Sequence, residues 1–324
     1  ITCPTNITAT VLPGYCYANV TIINPTATDN CSTTFTFTGI RSDALALNAP
    51  YPLGVTTITW TATDASGNTS LSCIQTVTVT DNVPPVITCP TNITATVLPG
   101  YCYANVTIIN PTATDNCSTT FTFTGIRSDA LALNAPYPLG VTTITWTATD
   151  ASGNTSLSCI QTVTVTDNVP PVIICPTDIT QAATAGQCYA NVTITNPSAT
   201  DNCATTFTFT GIRSDSLALN APYPIGTTTI TWTATDASGN TSLSCIQTVT
   251  VTDNVIPVIT CPPDITQAAL TGECFAYVTI TDPTATDNCS TTFTFTGIRS
   301  DGLALSEHYP VGTTTITWTA TDVS

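Results

Sequence analysis

Lysine and methionine are absent from this chain, and four arginines face 20 acidic residues, for a formal net charge of −16. There is a single histidine, His308, in a loop of the last repeat. Each scarcity excludes something. Phosphate neutralisation needs clustered Lys and Arg, so nucleic-acid binding is excluded. Without lysine there is no Lys–Asn isopeptide staple, and covalent cross-linking falls to cysteine. No apolar run approaches the 18 or more residues of a membrane span, and no initiator Met or charged-then-apolar signal precedes Ile1. The chain therefore reads as a window cut from a longer secreted protein. Catalysis is not expected: no Ser, Cys or Lys nucleophile has an evident base, and the Asp residues recur copy after copy instead of forming one special pair.

What is present is repetition. Residues 1–86 and 87–172 are the same sequence twice, and a third copy (173–258) and a shortened fourth (259–324) follow in register. A unit of 86 residues is too long for a solenoid turn and fits an autonomous small domain. Four cysteines recur per complete copy (Cys3, Cys16, Cys31, Cys73; Cys89, Cys102, Cys117, Cys159; Cys175, Cys188, Cys203, Cys245), with Cys261, Cys274 and Cys289 in the last. Their spacing is unlike C-x-x-C zinc pairs and no His accompanies them. They read as two disulfides per domain in an oxidising compartment.

Strand periodicity is plain. Ala18–Ile22, Thr34–Thr38, Thr57–Thr63 and Ile74–Thr80 alternate with period two, Thr or Asn on one face and apolar residues on the other. β-Branched Thr favours extended backbone on the exposed face, and Phe35, Phe37, Ile58, Trp60, Val77 and Val79 are the expected core. Pro and Gly clusters at 12–14, 24–25, 51–54 and 64–68 separate about seven short strands. The expected fold class is all-β: tandem immunoglobulin-like antiparallel β-sandwiches arranged as a rod.

The run Pro84–Pro90, the Ala27-Thr28-Asp29-Asn30-Cys31 segment, the Tyr51–Gly54 turn into Thr56–Asp64, then Ala65–Asn68 and the closing Cys73-x-x-x-Val77-x-Val79 resemble the hyalin repeat, or HYR domain. The resemblance covers all four copies, and near-perfect duplication resembles bacterial surface arrays more than animal modules. It implies extracellular immunoglobulin-like domains acting in adhesion and structure. It also implies a pairing, because HYR sequences commonly keep the outer cysteines when the inner pair is missing: Cys3–Cys73 with Cys16–Cys31, Cys89–Cys159 with Cys102–Cys117, Cys175–Cys245 with Cys188–Cys203, and Cys274–Cys289. First and last strands lying side by side and parallel in such a sandwich would support the outer pair. An outer loop of 70 residues would contribute about 4 kcal/mol and the inner one about 3 kcal/mol. Cys261 is expected to lack a partner within this window.

Junctions such as Thr80-Asp81-Asn82-Val83-Pro84-Pro85-Val86 hold no Gly or Ser, and their prolines favour an extended, semi-rigid spacer. Asn-x-Ser/Thr sequons at Asn6, Asn19, Asn30, Asn68, Asn92, Asn105, Asn116, Asn154, Asn191, Asn240 and Asn288 are glycosylation candidates. No cofactor is expected beyond covalent glycan; Asp29, Asp64 and Asp81 are only weak calcium candidates, and turn capping by Asp64 and Asn68 is the favoured role. The sequence thus points to an extracellular or cell-surface filament or stalk whose partners are copies of itself. The alternative is an adhesin binding surface glycans or proteins through Tyr15, Tyr17 and Tyr51. Ice binding by Thr ranks is a distant third, since a twisted sandwich lacks the flat array it requires.

Overall fold

The computed structural model describes residues 1–323. Those residues form strands, turns and irregular segments without a helix, in two compact units, Ile1–Asn168 and Val169–Ser324. The first unit carries the first two repeats, the second the third and fourth.

In the first repeat the strands are β1 (Ile7–Thr10), β2 (Tyr17–Ala18), β3 (Phe35–Arg41), β4 (Tyr51–Pro52), β5 (Gly54–Asp64) and β6 (Cys73–Thr80). One sheet has the order β1-β6-β5-β3. The pairs β3–β5 and β5–β6 are antiparallel, whereas β1 runs parallel to β6, with Ile7 opposite Val77 and Thr10 opposite Thr80. The ribbon β2–β4 forms the opposing layer, and between the layers Val11, Ala18, Tyr51, Ile58, Trp60, Val77 and Val79 make the core. The second repeat opens with β7 (Val86–Thr88), which pairs antiparallel with Thr112–Thr114; the first has only the bridge Thr2–Thr26 there.

Alternation in the sequence and alternation in burial agree along β5 and β6, where Ile58, Trp60, Val77 and Val79 are all buried. Phe37 packs against the core from its edge, half-buried. Two departures have physical causes. The strand expected at 18–22 stops at Ala18, because its partner ribbon carries Pro50 and Pro52, which have no N–H to continue the ladder. The outer face is also less polar than a Thr face: Ile40, Val55 and Ile74 are exposed on it.

Trp60 is fully buried, and its Nε1 donates to Gln75 Oε1 at 3.1 Å while Gln75 Nε2 donates to Thr5 O at 2.8 Å. The indole lies flat over Gly39, its register partner in β3, where a Cβ would stand 2.8 Å from Cζ3 of the ring. A rigid ring held by a hydrogen bond cannot yield, so Gly39→Ala is expected to destabilise the first repeat by about 1–3 kcal/mol, the usual range for overpacking. Denaturant unfolding checks this, and equal stability of the variant would show that the ring shifts freely.

The fourth repeat gives a natural comparison. It ends before a counterpart of β6, and residues 265–268, which correspond to β1, form no strand. The sole ladder partner of β1 is β6, so the one does not form without the other. Trp318 is consequently only half-buried, whereas Trp60, Trp146 and Trp232 are sealed.

Candidate functional site at the repeat junction

The parallel β1–β6 pair sets the outer cysteines side by side. Cys3 is bonded to Cys73, Cys89 to Cys159 and Cys175 to Cys245, with Cα–Cα distances of 5.7, 5.8 and 5.8 Å.

The inner pairing differs from the expectation. Cys16 is bonded to Cys117 of the next repeat, 101 residues on and 4.9 Å away between Cα atoms, while Cys31 is free and exposed. The expected Cys16–Cys31 and Cys102–Cys117 bonds are therefore absent. In the second unit Cys203 is oxidised while Cys188 is free, so Cys188–Cys203 is absent too, and Cys274 and Cys289 are both free. Cys261 is free and exposed as well.

Local geometry accounts for the exchange. Residues 12–17 form a tight turn with Gly14 at φ 78°, Tyr15 N donating to Leu12 O and Leu12 N donating to Tyr17 O, which puts Cys16 at the tip of the domain. On the other side, Asp115 Oδ1 accepts from Cys117 N and Ser118 N, both at 2.8 Å, and this Asx turn projects Cys117 back toward the preceding repeat. Asn116 Nδ2 completes the clasp by donating to Tyr15 O at 2.8 Å. The junction between third and fourth repeats has the same arrangement with thiols. Cys188 Sγ donates to Asn288 O at 2.8 Å, Cys289 Sγ to Gln187 O at 3.4 Å, and burial together with the neighbouring Cys188 pushes the Cys289 thiol up to about 12.

Because the first two repeats are identical, the effect of a preceding neighbour can be isolated. Asp64 is partly exposed but its counterpart Asp150 is buried; Asn30 and Cys31 are exposed but Asn116 and Cys117 are not. The same residues are thus covered in the second repeat by docking onto the first. Asp81, just past β6, accepts from Val83 N through Oδ1 at 3.1 Å, and Val83 packs on the first repeat's core. Asp150 accepts from Ser152 N, Asn154 N and Asn154 Nδ2, and Asn154 Nδ2 also donates to Asp81 O at 3.4 Å. Burial opposes ionisation of Asp150, but the Asn154 amide and the backbone N–H groups outweigh it and hold its carboxyl below the ordinary range.

The expected trio Asp29, Asp64 and Asp81 does not meet within one repeat. Asp29 caps Cys31 and Ser32, and Asp64 caps the turn through Ser66 and Asn68. Asp81 instead approaches Asp115 and Asp150, each 86 residues beyond its expected counterpart. The sequons divide likewise: Asn6, Asn19, Asn92, Asn105 and Asn191 are exposed, whereas Asn116, Asn154 and Asn288 lie at junctions with their amides engaged. Of the aromatic candidates, Tyr15 is half exposed and Tyr51 is fully buried.

Tyr51 is part of a feature that sequence reasoning missed. Arg41 is buried with its guanidinium 3.7 Å from the Tyr51 ring centroid. It pairs with Asp43 and donates to the carbonyls of Ala46, Ala49 and Pro50, fixing the loop between β3 and β4. The same pair recurs at Arg127–Asp129, Arg213–Asp215 and Arg299–Asp301. The available signal was one Arg-x-Asp per repeat in a chain with no other cation.

The HYR domain profile matches residues 1–79, 80–165, 166–251 and 252–324, which accounts for the whole chain. The chain belongs to the HYR domain family. Hyalin of Strongylocentrotus purpuratus is 30% identical over 334 residues, covering 100% of this chain and 26% of that protein. Hyalin of Lytechinus variegatus is 34% identical over 293 residues, covering 88% of the chain and 52% of that protein. The chain thus spans about a quarter and about half of these two relatives. Both are sea-urchin proteins and lend no support to a bacterial kinship. Among solved structures, Drosophila N-cadherin EC1-4 aligns at 13% identity and a TM-score of 0.29, covering 92% of this chain and 87% of that one. Protocadherin Gamma B2 domains 1-5 align at 14% and 0.34, covering 91% and 68%; both likenesses are too faint to bear on function. No helix among the described residues is long and apolar enough to cross a membrane.

Proposed function

We propose that the chain is a segment of a load-bearing extracellular filament or stalk whose repeats are joined covalently to one another as well as through the backbone. The carrying observation is the overlap of disulfide loops. Cys3–Cys73, Cys16–Cys117 and Cys89–Cys159 together enclose every backbone bond from residue 3 to residue 159, including the linker between the first two repeats. A purely intradomain set would leave residues 74–88 as a bare tether. Copies of the repeat are then its first partners. Glycans on the exposed Asn6, Asn19, Asn92, Asn105 and Asn191 would coat the repeats, whereas sugar on Asn116 would displace the amide that grips Tyr15.

Pulling single molecules tests this reading. Each outer loop withholds 70 residues from extension, roughly 240 Å of contour at the reach of an extended chain. The oxidised chain is expected to stretch short and to gain that length per closed loop on adding a thiol reductant. Full extension without reductant would overturn the load-bearing role of the cross-links.

A further inference from the structure

One carboxylate oxygen from each of Asp81, Asp115 and Asp150 lies within 4.8 Å of the other two at the junction of the first two repeats. Asp81 and Asp150 are only 8% and 7% exposed. Like charges held this close and out of water disfavour ionisation unless a cation is present. The protein has none to offer: it contains no lysine, and each of its four arginines is buried in its own repeat and paired with the Asp two residues on. Hydrogen bonds satisfy both oxygens of Asp150 but not all those of its two neighbours. Asp81 Oδ1 is used by Val83 N, but Asp81 Oδ2 is buried without a hydrogen-bond partner, and so is Asp115 Oδ2. Asn116, next in the chain, buries an Oδ1 that is also unpartnered. Three buried ligand-type oxygens with no hydrogen-bond donor, beside a third carboxylate, are the condition a bound cation relieves.

We propose that this junction is a divalent-cation site in which Asp81 from the first repeat and Asp115 and Asp150 from the second coordinate Ca²⁺. The donors are all oxygen, which suits a hard cation; there is no imidazole, and the adjacent Cys117 sulfur is spent in the bond to Cys16. Calcium fits better than magnesium because the ligands come from three separate loops of irregular geometry, and Ca²⁺ tolerates six to eight such ligands, water completing the set. The ion would bridge the repeats beside the disulfide, so that one junction is closed by two independent bonds. The third junction repeats the motif in the second unit: Asp253 and Asp287 cluster with Cys289, and Oδ2 of both carboxylates is again buried and unpartnered.

The test is equilibrium dialysis of the oxidised, calcium-stripped 324-residue chain against CaCl₂, with MgCl₂ as competitor. Binding with a Kd on the order of 10⁻⁴–10⁻³ M, as in other extracellular modules, is expected. Asp81→Asn should lower the bound calcium by one per chain, since the amide keeps the Oδ1 that accepts from Val83 but loses the charge. Peptide mapping of the Cys16–Cys117 bond in that variant verifies that the junction still forms. No calcium bound at about 10 mM, or unchanged stoichiometry in a variant with the bond intact, would overturn the proposal. Because the assay reads binding in free solution, its failure leaves the load-bearing reading standing.

Discussion

A chain cut once in its first linker is expected to stay in one piece until it is reduced. Asn82 is exposed between β6 and β7, and the protein contains no lysine, so Asn82→Lys creates a single site for a lysine-specific protease. After digestion, a denaturing gel without reductant should show the full 33.6 kDa, and a reduced gel two fragments, 1–82 and 83–324. The physical reason is that the Cys16–Cys117 loop encloses the cut, so severing the backbone leaves the disulfide path intact. Adding Cys117→Ser should make the nicked chain fall apart without reductant, which isolates this bond from the outer ones. A nicked parent that separates unreduced would mean that Cys16 pairs within its own repeat. The same bond closes a loop of 101 residues, and its loss is expected to destabilise the two-repeat unit by about 4–5 kcal/mol on the chain-entropy estimate.

Replacing Arg41 by Ala is the second change with a large expected effect. It removes the guanidinium from three backbone carbonyls, a carboxylate and an aromatic face at once. Removing one partner of a buried ion pair usually costs about 3–5 kcal/mol. Arg41→Lys should recover little, since an ammonium cannot reproduce the two-pronged contact with Asp43, made through Nε and Nη2. Amide exchange across residues 42–52 and the guanidinium midpoint of the first repeat report the loss; exchange unchanged from the parent would show that the loop holds its shape without the arginine. The pair also predicts acid behaviour. Arg41 holds the Asp43 carboxyl below its ordinary value, so its contribution is present above about pH 3.9 and disappears as pH falls through the lower folded-state value. Asp129, Asp215 and Asp301 share the cause and the direction, so loosening of this loop in all four repeats belongs to strongly acid solution.

The comparison between identical repeats explains which parts of this protein are readable from sequence. Alternation along β5 and β6 fixes which side chains point inward, because a strand has only two faces. Trp60, Ile58, Val77 and Val79 are therefore identifiable as core without coordinates. Gly39 is not: its backbone is ordinary, and only its register opposite Trp60 makes a side chain there impossible. The truncated strand at Tyr17–Ala18 depends similarly on a partner that happens to contain prolines.

What the sequence by itself determined is the tandem all-β architecture, the repeat length, the oxidised cysteine chemistry and the absence of any surplus cation, since periodicity and composition are local or additive properties. Only the tertiary structure decided which copy of a repeated residue meets which. In a duplicated sequence Cys31 and Cys117 are locally indistinguishable, as are Asp64 and Asp150. Docking of one repeat on the next, set by the turn at Gly14 and the cap at Asp115, brings Cys16 to the cysteine 101 residues away and gathers three carboxylates from two domains. Spacing along the chain cannot encode that choice, because it is made by proximity between folded surfaces.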